Sequence, residues 1–357
     1  MQRKIIIAIT LLLVLCLVLI TLSILPLLIT PANQWSIQET QIDKLHQLGF
    51  YGSGITIGII DTGIDSNHHE FDQTSFLGWN DFIHHQDTYY DDEDQGTHIA
   101  GILISQGSYH GLVSGINLKG IAHKAELFIV KAIPKNHYLF GGGNDSIIAD
   151  AIQFCIDNNV DIILLSLGMS PDYIDFSTNT KTTEKINQAI QQGIFIVAPA
   201  GNDQHHDDGD VCFPSTIPNV ISVGAIKQTN TITSFTSKGH QYPWSINPNK
   251  KPELVAPGEK IMSTRTNGAY GQLSGTPQAA AFVCGILALL LEAYPEYKPN
   301  GAKNQNQTTI QLFKEIFAIT AKKIGTLQNT PAPYSHNDYY GYGLIQAYEA
   351  YKELAKY

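Results

Sequence analysis

The sequence is poor in cysteine, with four in 357 residues. Four cysteines are too few for the disulfide framework of a small secreted domain, and none has the spacing of a zinc site. Cys16 lies in an apolar N-terminal stretch, and Cys155 and Cys284 lie in apolar helical patterns. We therefore interpret these three as buried free thiols.

Positive charge is also scarce. Lys and Arg number 22 against 32 Asp and Glu, which gives a net charge of −10, and the basic residues form no block. This balance is unsuited to a nucleic-acid surface, so we expect no nucleic-acid partner. Hydrophobic residues make up 43% of the chain, which is enough for a sizeable core in one large domain or two small ones.

The glycine-rich stretches lack the other features of a nucleotide site. Gly52 and Gly54 precede a predicted strand, whereas the glycines of a phosphate-binding turn follow the strand and open a helix. Residues 141–143 are three glycines without the Lys-Ser/Thr pair of a phosphate loop. The sequence thus argues against a nucleotide cofactor.

The N-terminus contains one long hydrophobic run. Arg3 and Lys4 precede residues 5–25, and a stretch of about 20 apolar residues can span a bilayer. Positive residues on the short leading side predict a cytoplasmic N-terminus and an extracytoplasmic domain. We predict that residues 1–32 form a single-pass transmembrane helix that anchors the protein in the membrane. Thr30-Pro31-Ala32 also fits a signal-peptide cleavage site, so secretion after cleavage is the alternative.

Residues 33–357 have the pattern of a single α/β domain. Short apolar runs alternate with helical patterns, which predicts a mostly parallel sheet with helices on both faces. The predicted strands are residues 55–60, 127–132, 161–166, 194–198 and 220–225. The predicted helices are residues 97–104, 146–158, 182–192, 308–323 and 344–354.

Residues 270–291 combine a glycine-rich loop with a helix that is apolar nearly all round. Such a helix is normally buried in the middle of a domain. Thr276 is a good N-cap, and Pro277 is well tolerated at the first helical position because the N–H there has no intrahelical partner.

Polar residues stand at three predicted strand or helix ends. Asp61 ends the first strand, His98 opens a helix, and Asn202 follows a strand. Each alone has an ordinary structural explanation: an aspartate in a turn, a histidine capping a helix and an asparagine after glycine. Because functional groups gather at the carboxyl ends of parallel strands, the three together also mark a candidate site.

Together with Leu273-Ser274-Gly275-Thr276, these residues make the chain resemble the subtilisin-like serine peptidases from about Gln34 to Tyr348. The resemblance implies a three-layer subtilisin-like α/β fold that requires no cofactor and holds a peptide or protein in extended form. The matching motifs are Asp61-Thr62-Gly63-Ile64-Asp65, Gly96-Thr97-His98-Ile99-Ala100-Gly101, Ser166-Leu167-Gly168, Ala200-Gly201-Asn202, Val255-Ala256-Pro257-Gly258 and Gly341-Tyr342-Gly343-Leu344-Ile345.

The resemblance also implies a role for each site residue. Asp61 would orient and stabilise the imidazole of His98, which would act as the general base. Asn202 would hold the oxyanion together with a backbone N–H. The segment Ser166-Leu167-Gly168 would line the substrate.

The sequence departs from the family pattern at the nucleophile. Pro277 follows Gly275-Thr276 where the family has the nucleophilic serine. Proline has no hydroxyl to form an acyl-enzyme and no N–H to donate to the oxyanion. In addition, only a short segment separates the hydrophobic run from the first family match, so no folding prodomain is expected.

We therefore interpret the domain as an inactive peptidase fold at the outer face of the membrane, which binds an extended peptide or a partner protein. The retained residues Asp61, His98 and Asn202 favour the alternative, an active subtilisin-like serine endopeptidase.

Metal ligands are not predicted, and a structural calcium ion is left open. Members of the family commonly bind calcium, and Glu70 lies near a ligand position, but residues 106–119 do not match the loop that supplies the other ligands. The acidic residues 91–94 are interpreted as a solvated loop rather than a cation site. Residues 205–210 have metal-ligand types, but their tight spacing suits an exposed insertion.

Overall fold

The computed structural model of the protein describes residues 13–15, 33–108, 118–135, 144–168, 180–203, 210–239, 246–327 and 334–357. Residues 13–15 are helical. Most of the predicted membrane segment, Cys16, and most of residues 205–210 lie outside the described residues. Cys155 and Cys284 are buried free thiols, as interpreted, and Cys212 is a third buried cysteine.

The described part of the chain alternates strands and helices. Its strands are β1 Thr56–Asp61, β2 Phe76–Asp81, β3 Glu126–Lys131, β4 Ile162–Leu165, β5 Phe195–Pro199, β6 Ile221–Ile226, β7 Leu254–Pro257, β8 Ile261–Arg265 and β9 Ala269–Leu273. Its α-helices after residue 33 are α1 Gln34–Glu39, α2 Ile42–Gln47, α3 Gln95–Ile104, α4 Asp145–Asp157, α5 Lys181–Gln191, α6 Thr276–Ala293, α7 Gln307–Thr320 and α8 Ala347–Leu354.

Seven of the strands form one sheet in the order β2-β3-β1-β4-β5-β6-β7, and every described pairing in it is parallel. β1 lies between β3 and β4, so that Ile59 is opposite Ile129 on one side and Leu164 on the other. β8 and β9 form a separate antiparallel hairpin. The prediction of a mostly parallel sheet is confirmed.

The sheet is covered on both faces. All residues of β4, β5 and β6 are buried, and successive side chains of a strand point to opposite faces. α3 and α6 contact each other and the sheet, while α4 and α5 form a second pair in contact with each other and the sheet. Strands buried on both sides read as continuous apolar runs, which is why the sequence pattern found them.

The helix α6 lies at the centre of the domain and contacts β4, β5, β6 and β7. It is the one helix in the described ranges that is long and apolar enough to cross a membrane, but it is 83% buried inside the domain and is therefore a core helix. Gly275 is the N-cap and Thr276 begins the helix, so the predicted cap was off by one residue. Pro277 lies in the first turn.

The predicted strands and helices are all present with small boundary shifts. The sequence patterns missed α1, α2, β2, β7 and the β8–β9 hairpin. β2 and β9 are only half-buried, so they lack the continuous apolar run that marks a buried parallel strand.

Candidate active site

Three of the predicted site segments lie at the carboxyl edge of the sheet. Asp61 is the last residue of β1, Ser166-Leu167-Gly168 follows β4, and Asn202 comes shortly after β5. The three strands are parallel neighbours, so their carboxyl ends meet at one edge. The structure therefore brings these three segments to one edge of the sheet.

Asp61 is fully buried. Its Oδ1 accepts the N–H of Thr62 at 2.6 Å, and its Oδ2 accepts no hydrogen bond from the described residues. Burial raises the pKa of Asp61 to about 7, against the opposing effect of the Ser166 hydroxyl and the Thr62 N–H. A buried carboxyl group with a strongly shifted pKa at a strand end is a candidate functional group.

His98 is held by the β8–β9 hairpin. Its Nε2 lies 3.0 Å from the carbonyl oxygen of Ile261 and 3.2 Å from that of Gly271. Because a carbonyl oxygen only accepts hydrogen bonds, Nε2 carries the proton, and Nδ1 has no partner within the described ranges. Burial lowers the pKa of His98 to about 4.

The structure does not form the Asp61–His98 pair that the resemblance implied. Neither Oδ2 of Asp61 nor Nδ1 of His98 has a partner in the described part of the chain, and Nε2 bonds the hairpin instead. In the expected mechanism the carboxyl group would bind Nδ1–H, and Nε2 would take the proton of the nucleophile. The hydroxyl of Ser263 also donates to the carbonyl oxygen of His98, at 2.7 Å, so this residue joins α3 to the hairpin.

Gln95 is a site residue that the sequence reasoning missed. It is the first residue of α3 and is buried. Its Nε2 donates to the carbonyl oxygen and to the hydroxyl oxygen of Ser166, each at 3.0 Å. Gln95 therefore connects the start of α3 to the segment that follows β4.

Asn202 connects the end of β5 to the start of α6. Its Oδ1 accepts the N–H of Thr276 at 2.9 Å and the hydroxyl of Thr276 at 3.0 Å. A Cβ atom placed on Gly275 would lie 3.3 Å from Asn202 Nδ2 and 3.1 Å from Pro277 Cδ. The amide of Asn202 and the ring of Pro277 thus border the same glycine.

Pro277 is half-buried, and the two hydroxyl groups that precede it in the chain bind other partners. Ser274 Oγ accepts the N–H of Lys260 at 2.8 Å. Thr276 Oγ1 accepts the N–H of Gly201 at 3.1 Å, in addition to its bond with the asparagine described above. Both hydroxyls are therefore engaged in hydrogen bonds that hold the loop.

Cys212 lies behind the segment expected to line the substrate. A Cβ atom on Gly168 would lie 3.1 Å from Cys212 Cβ, and one on Gly201 would lie 2.3 Å from Cys212 Sγ. The thiol donates to Oδ2 of Asp203 at 2.6 Å. Cys212 therefore fills space between the continuations of β4 and β5.

The acidic residues before α3 are bonded within the protein, which corrects the interpretation of a solvated loop. Asp91 accepts a hydrogen bond from the hydroxyl of Thr62 at 2.9 Å. Asp92 forms an ion pair with the buried Lys131 at 2.6 Å. These contacts fix the turn that directly follows Asp61.

The described residues contain no group of three or more His, Cys, Asp or Glu side chains that could hold a metal ion. Glu70 is buried, and its Oε1 and Oε2 accept hydrogen bonds from the hydroxyls of Tyr270 at 2.7 Å and Ser105 at 2.9 Å. The loop at residues 106–119 is described only at its ends. A structural calcium ion therefore stays an untested expectation.

The sequence matches a protein-family model and several known proteins. A model described as "Subtilase family" matches residues 52–343. The chain is 31% identical over 277 residues to subtilisin E of Bacillus subtilis (strain 168), an alignment that covers 77% of this chain and 65% of that protein. A subtilisin of Bacillus pumilus is 30% identical over 277 residues, with 77% and 90% covered. The minor extracellular protease Epr of Bacillus subtilis (strain 168) is 30% identical over 314 residues, with 88% and 41% covered.

Proposed function

Because the chain belongs to the subtilase family of peptidases, we propose that it is a catalytically inactive member, whose cleft binds an extended peptide or a partner protein. The observation that carries this proposal is Pro277 in the first turn of α6, beside Asn202. A proline there supplies neither the hydroxyl that attacks a peptide carbonyl nor the N–H that helps to hold the oxyanion. The loss of the nucleophile removes most of the rate enhancement of such a site.

The proposed binding cleft lies along the segment that follows β4, where an extended peptide could add to the main chain. Ser166-Leu167-Gly168 continues from β4 with no strand of its own, and an extended peptide can pair with the main chain of such a segment. Leu167 and Gly168 are partly exposed, with Cys212 behind them. We therefore expect the ligand to present a small side chain at this point.

An active subtilisin-like endopeptidase is the second candidate. The relatives described above are named as subtilisins and proteases, and the buried Asp61 and the Asn202 amide are both retained. This candidate requires a hydroxyl other than one at position 277 to attack the substrate.

Fluorophosphonate labelling of purified residues 33–357 separates the two candidates. We expect no covalent adduct and no hydrolysis of casein, under conditions in which subtilisin E is labelled and active. An adduct on the unaltered chain would refute inactivity, and peptide mapping of that adduct would identify the substitute nucleophile.

Binding in the cleft is tested with fluorescein-labelled casein. We expect its fluorescence anisotropy to rise with residues 33–357, and Leu167→Asp to weaken binding by at least about tenfold, which corresponds to about 1.4 kcal/mol. Leu48→Asp is the matched control, because Leu48 is 50% exposed near the end of α2. Equal affinities of the two variants, or no binding by the unaltered protein, would contradict the proposed binding role.

We further propose that residues 1–32 anchor the domain at the outer membrane face. The support is the hydrophobic run 5–25 and the preceding Arg3 and Lys4. In cell fractionation, the full chain is expected to remain in the membrane pellet after alkaline extraction. If expression of the full chain instead gives a shortened protein in the medium, the result would support the alternative, a cleaved signal peptide.

A further inference from the structure

We propose that Gln95 occupies the position beside Asp61 from which a general base would act, so that the cleft lacks its base as well as its nucleophile. The inference rests on the proposed inactive function and concerns the same site. In this inference His98 has a structural role. Position 95 is then the second functional position, after 277, at which this chain differs from an active peptidase.

The start of α3 is packed directly against the turn after β1. Gly96 donates its N–H to Thr62 Oγ1 at 3.0 Å. A Cβ atom on Gly96 would lie 1.9 Å from the carbonyl oxygen of Gly63, so the two backbones touch and only glycine fits. This contact fixes the location of the residue before Gly96, which is Gln95, at the turn that begins with Asp61.

Gln95 and Asp61 also share Ser166 as a neighbour. Gln95 Nε2 donates to the hydroxyl oxygen of Ser166, and the same hydroxyl lowers the pKa of Asp61. Asp61 Oδ2 is buried without a donor from the described residues, which is rare for a buried polar atom. No residue in the described ranges therefore donates to Asp61 Oδ2, and the side-chain amide nitrogen of Gln95 donates to Ser166 instead.

His98 is poorly placed to supply that donor. It lies three residues further along α3, which is about 4.5 Å along the helix axis. Its ring is buried, and its Nε2 proton is shared between the carbonyl oxygens of Ile261 and Gly271. To reach Asp61, the ring would have to abandon both acceptors inside the core, where an unpaired buried carbonyl is costly.

A glutamine at position 95 cannot do what an imidazole there could do. An imidazole at position 95 could donate one N–H to Asp61 Oδ2 and use its other nitrogen to accept a proton from a nucleophile. The amide of glutamine has no basic nitrogen and cannot accept that proton at neutral pH. A serine restored at position 277 would therefore remain unactivated.

The test compares fluorophosphonate labelling of Pro277→Ser, Gln95→His/Pro277→Ser and the matched control Gln95→Ala/Pro277→Ser. We expect Pro277→Ser and the control to label at background, and Gln95→His/Pro277→Ser to label at least about 10²-fold faster, the range of general-base catalysis. Labelling of Pro277→Ser at the rate of the double variant would overturn the inference, and so would a folded double variant that does not label. Labelling of the unaltered chain would instead overturn the proposed inactivity.

A second measurement needs no restored nucleophile. In Gln95→His, the pKa of the introduced imidazole, followed by NMR, should fall by about one unit or more when Asp61→Asn is added, because the carboxylate stabilises the imidazolium. The pKa of His98 should not change with Asp61→Asn in the unaltered background. If the pKa of the introduced imidazole does not respond to Asp61→Asn, or if the pKa of His98 does, the inference is wrong and Asp61 faces His98.

Discussion

Glu253→Gln is expected to lower the free energy of unfolding by about 3–5 kcal/mol at pH 6, the range for breaking a buried ion pair. Glu253 Oε1 lies 2.9 Å from Lys251 Nζ and 2.6 Å from Lys314 Nζ, and all three side chains are at most 3% exposed. Without the carboxylate, two ammonium groups would be buried with only neutral acceptors such as the carbonyl oxygen of Val220.

The effect of Glu253→Gln should depend on pH. Burial lowers the pKa of Lys251 to about 7 even beside Glu253, and loss of the carboxylate would lower it further. Just below pH 7 the folded variant can therefore release a lysine proton that the folded unaltered protein still holds, whereas the unfolded chain holds it until about pH 10.5. We therefore expect the destabilisation to shrink as the pH rises towards 7 and to change little above it.

Urea unfolding of Glu253→Gln and Glu39→Gln provides the comparison. Glu39 pairs with Lys322 at 2.8 Å, but the two side chains are 33% and 46% exposed, so its loss should cost less than about 1 kcal/mol. The prediction fails if the two variants lose equal stability, or if the loss in Glu253→Gln grows with pH.

Asp61→Asn is expected to stabilise the protein by about 2–4 kcal/mol at pH 8 relative to its effect at pH 4. The folded-state pKa of Asp61 is raised by burial from 3.8 to about 7, with Asp91 adding to the rise. Between pH 3.8 and about pH 7 the folded protein retains a proton that the unfolded chain has released, so the free energy of unfolding falls as the pH rises. Asparagine does not titrate and avoids this loss.

Asp81→Asn is the control with the opposite sign. Asp81 is also the last residue of a parallel strand, but its Oδ1 accepts the N–H groups of Ile83 and His84. Burial would raise its pKa, but these N–H groups hold the pKa below its usual value. Its contribution is therefore present at neutral pH and is lost on acidification, so Asp81→Asn should destabilise most at neutral pH. An Asp61→Asn variant that behaves like Asp81→Asn would show that Oδ2 of Asp61 has a donor.

The sequence predicted the buried sheet best where a strand is covered on both faces and every residue in it is apolar. β4 and β5 illustrate this, with no solvent-facing residue in either strand. The carboxyl-edge location of Asp61 and Asn202 followed from the same pattern, since parallel neighbours end at one edge. β9 was missed because its residues are only half-buried and carry no such signal.

The absence of a hydroxyl and of a backbone N–H at position 277 was determined by the sequence alone, because a proline lacks both in every conformation. The choice between Gln95 and His98 was not. The two residues lie three apart on α3, on one side of the helix, so local pattern does not separate them. The proposal for Gln95 depends on the tertiary structure, because the carbonyl oxygen that holds His98 comes from β8, 163 residues later in the chain. The contact of Gly96 with the turn after β1, from which we infer that Gln95 lies beside Asp61, is likewise set by packing between distant segments.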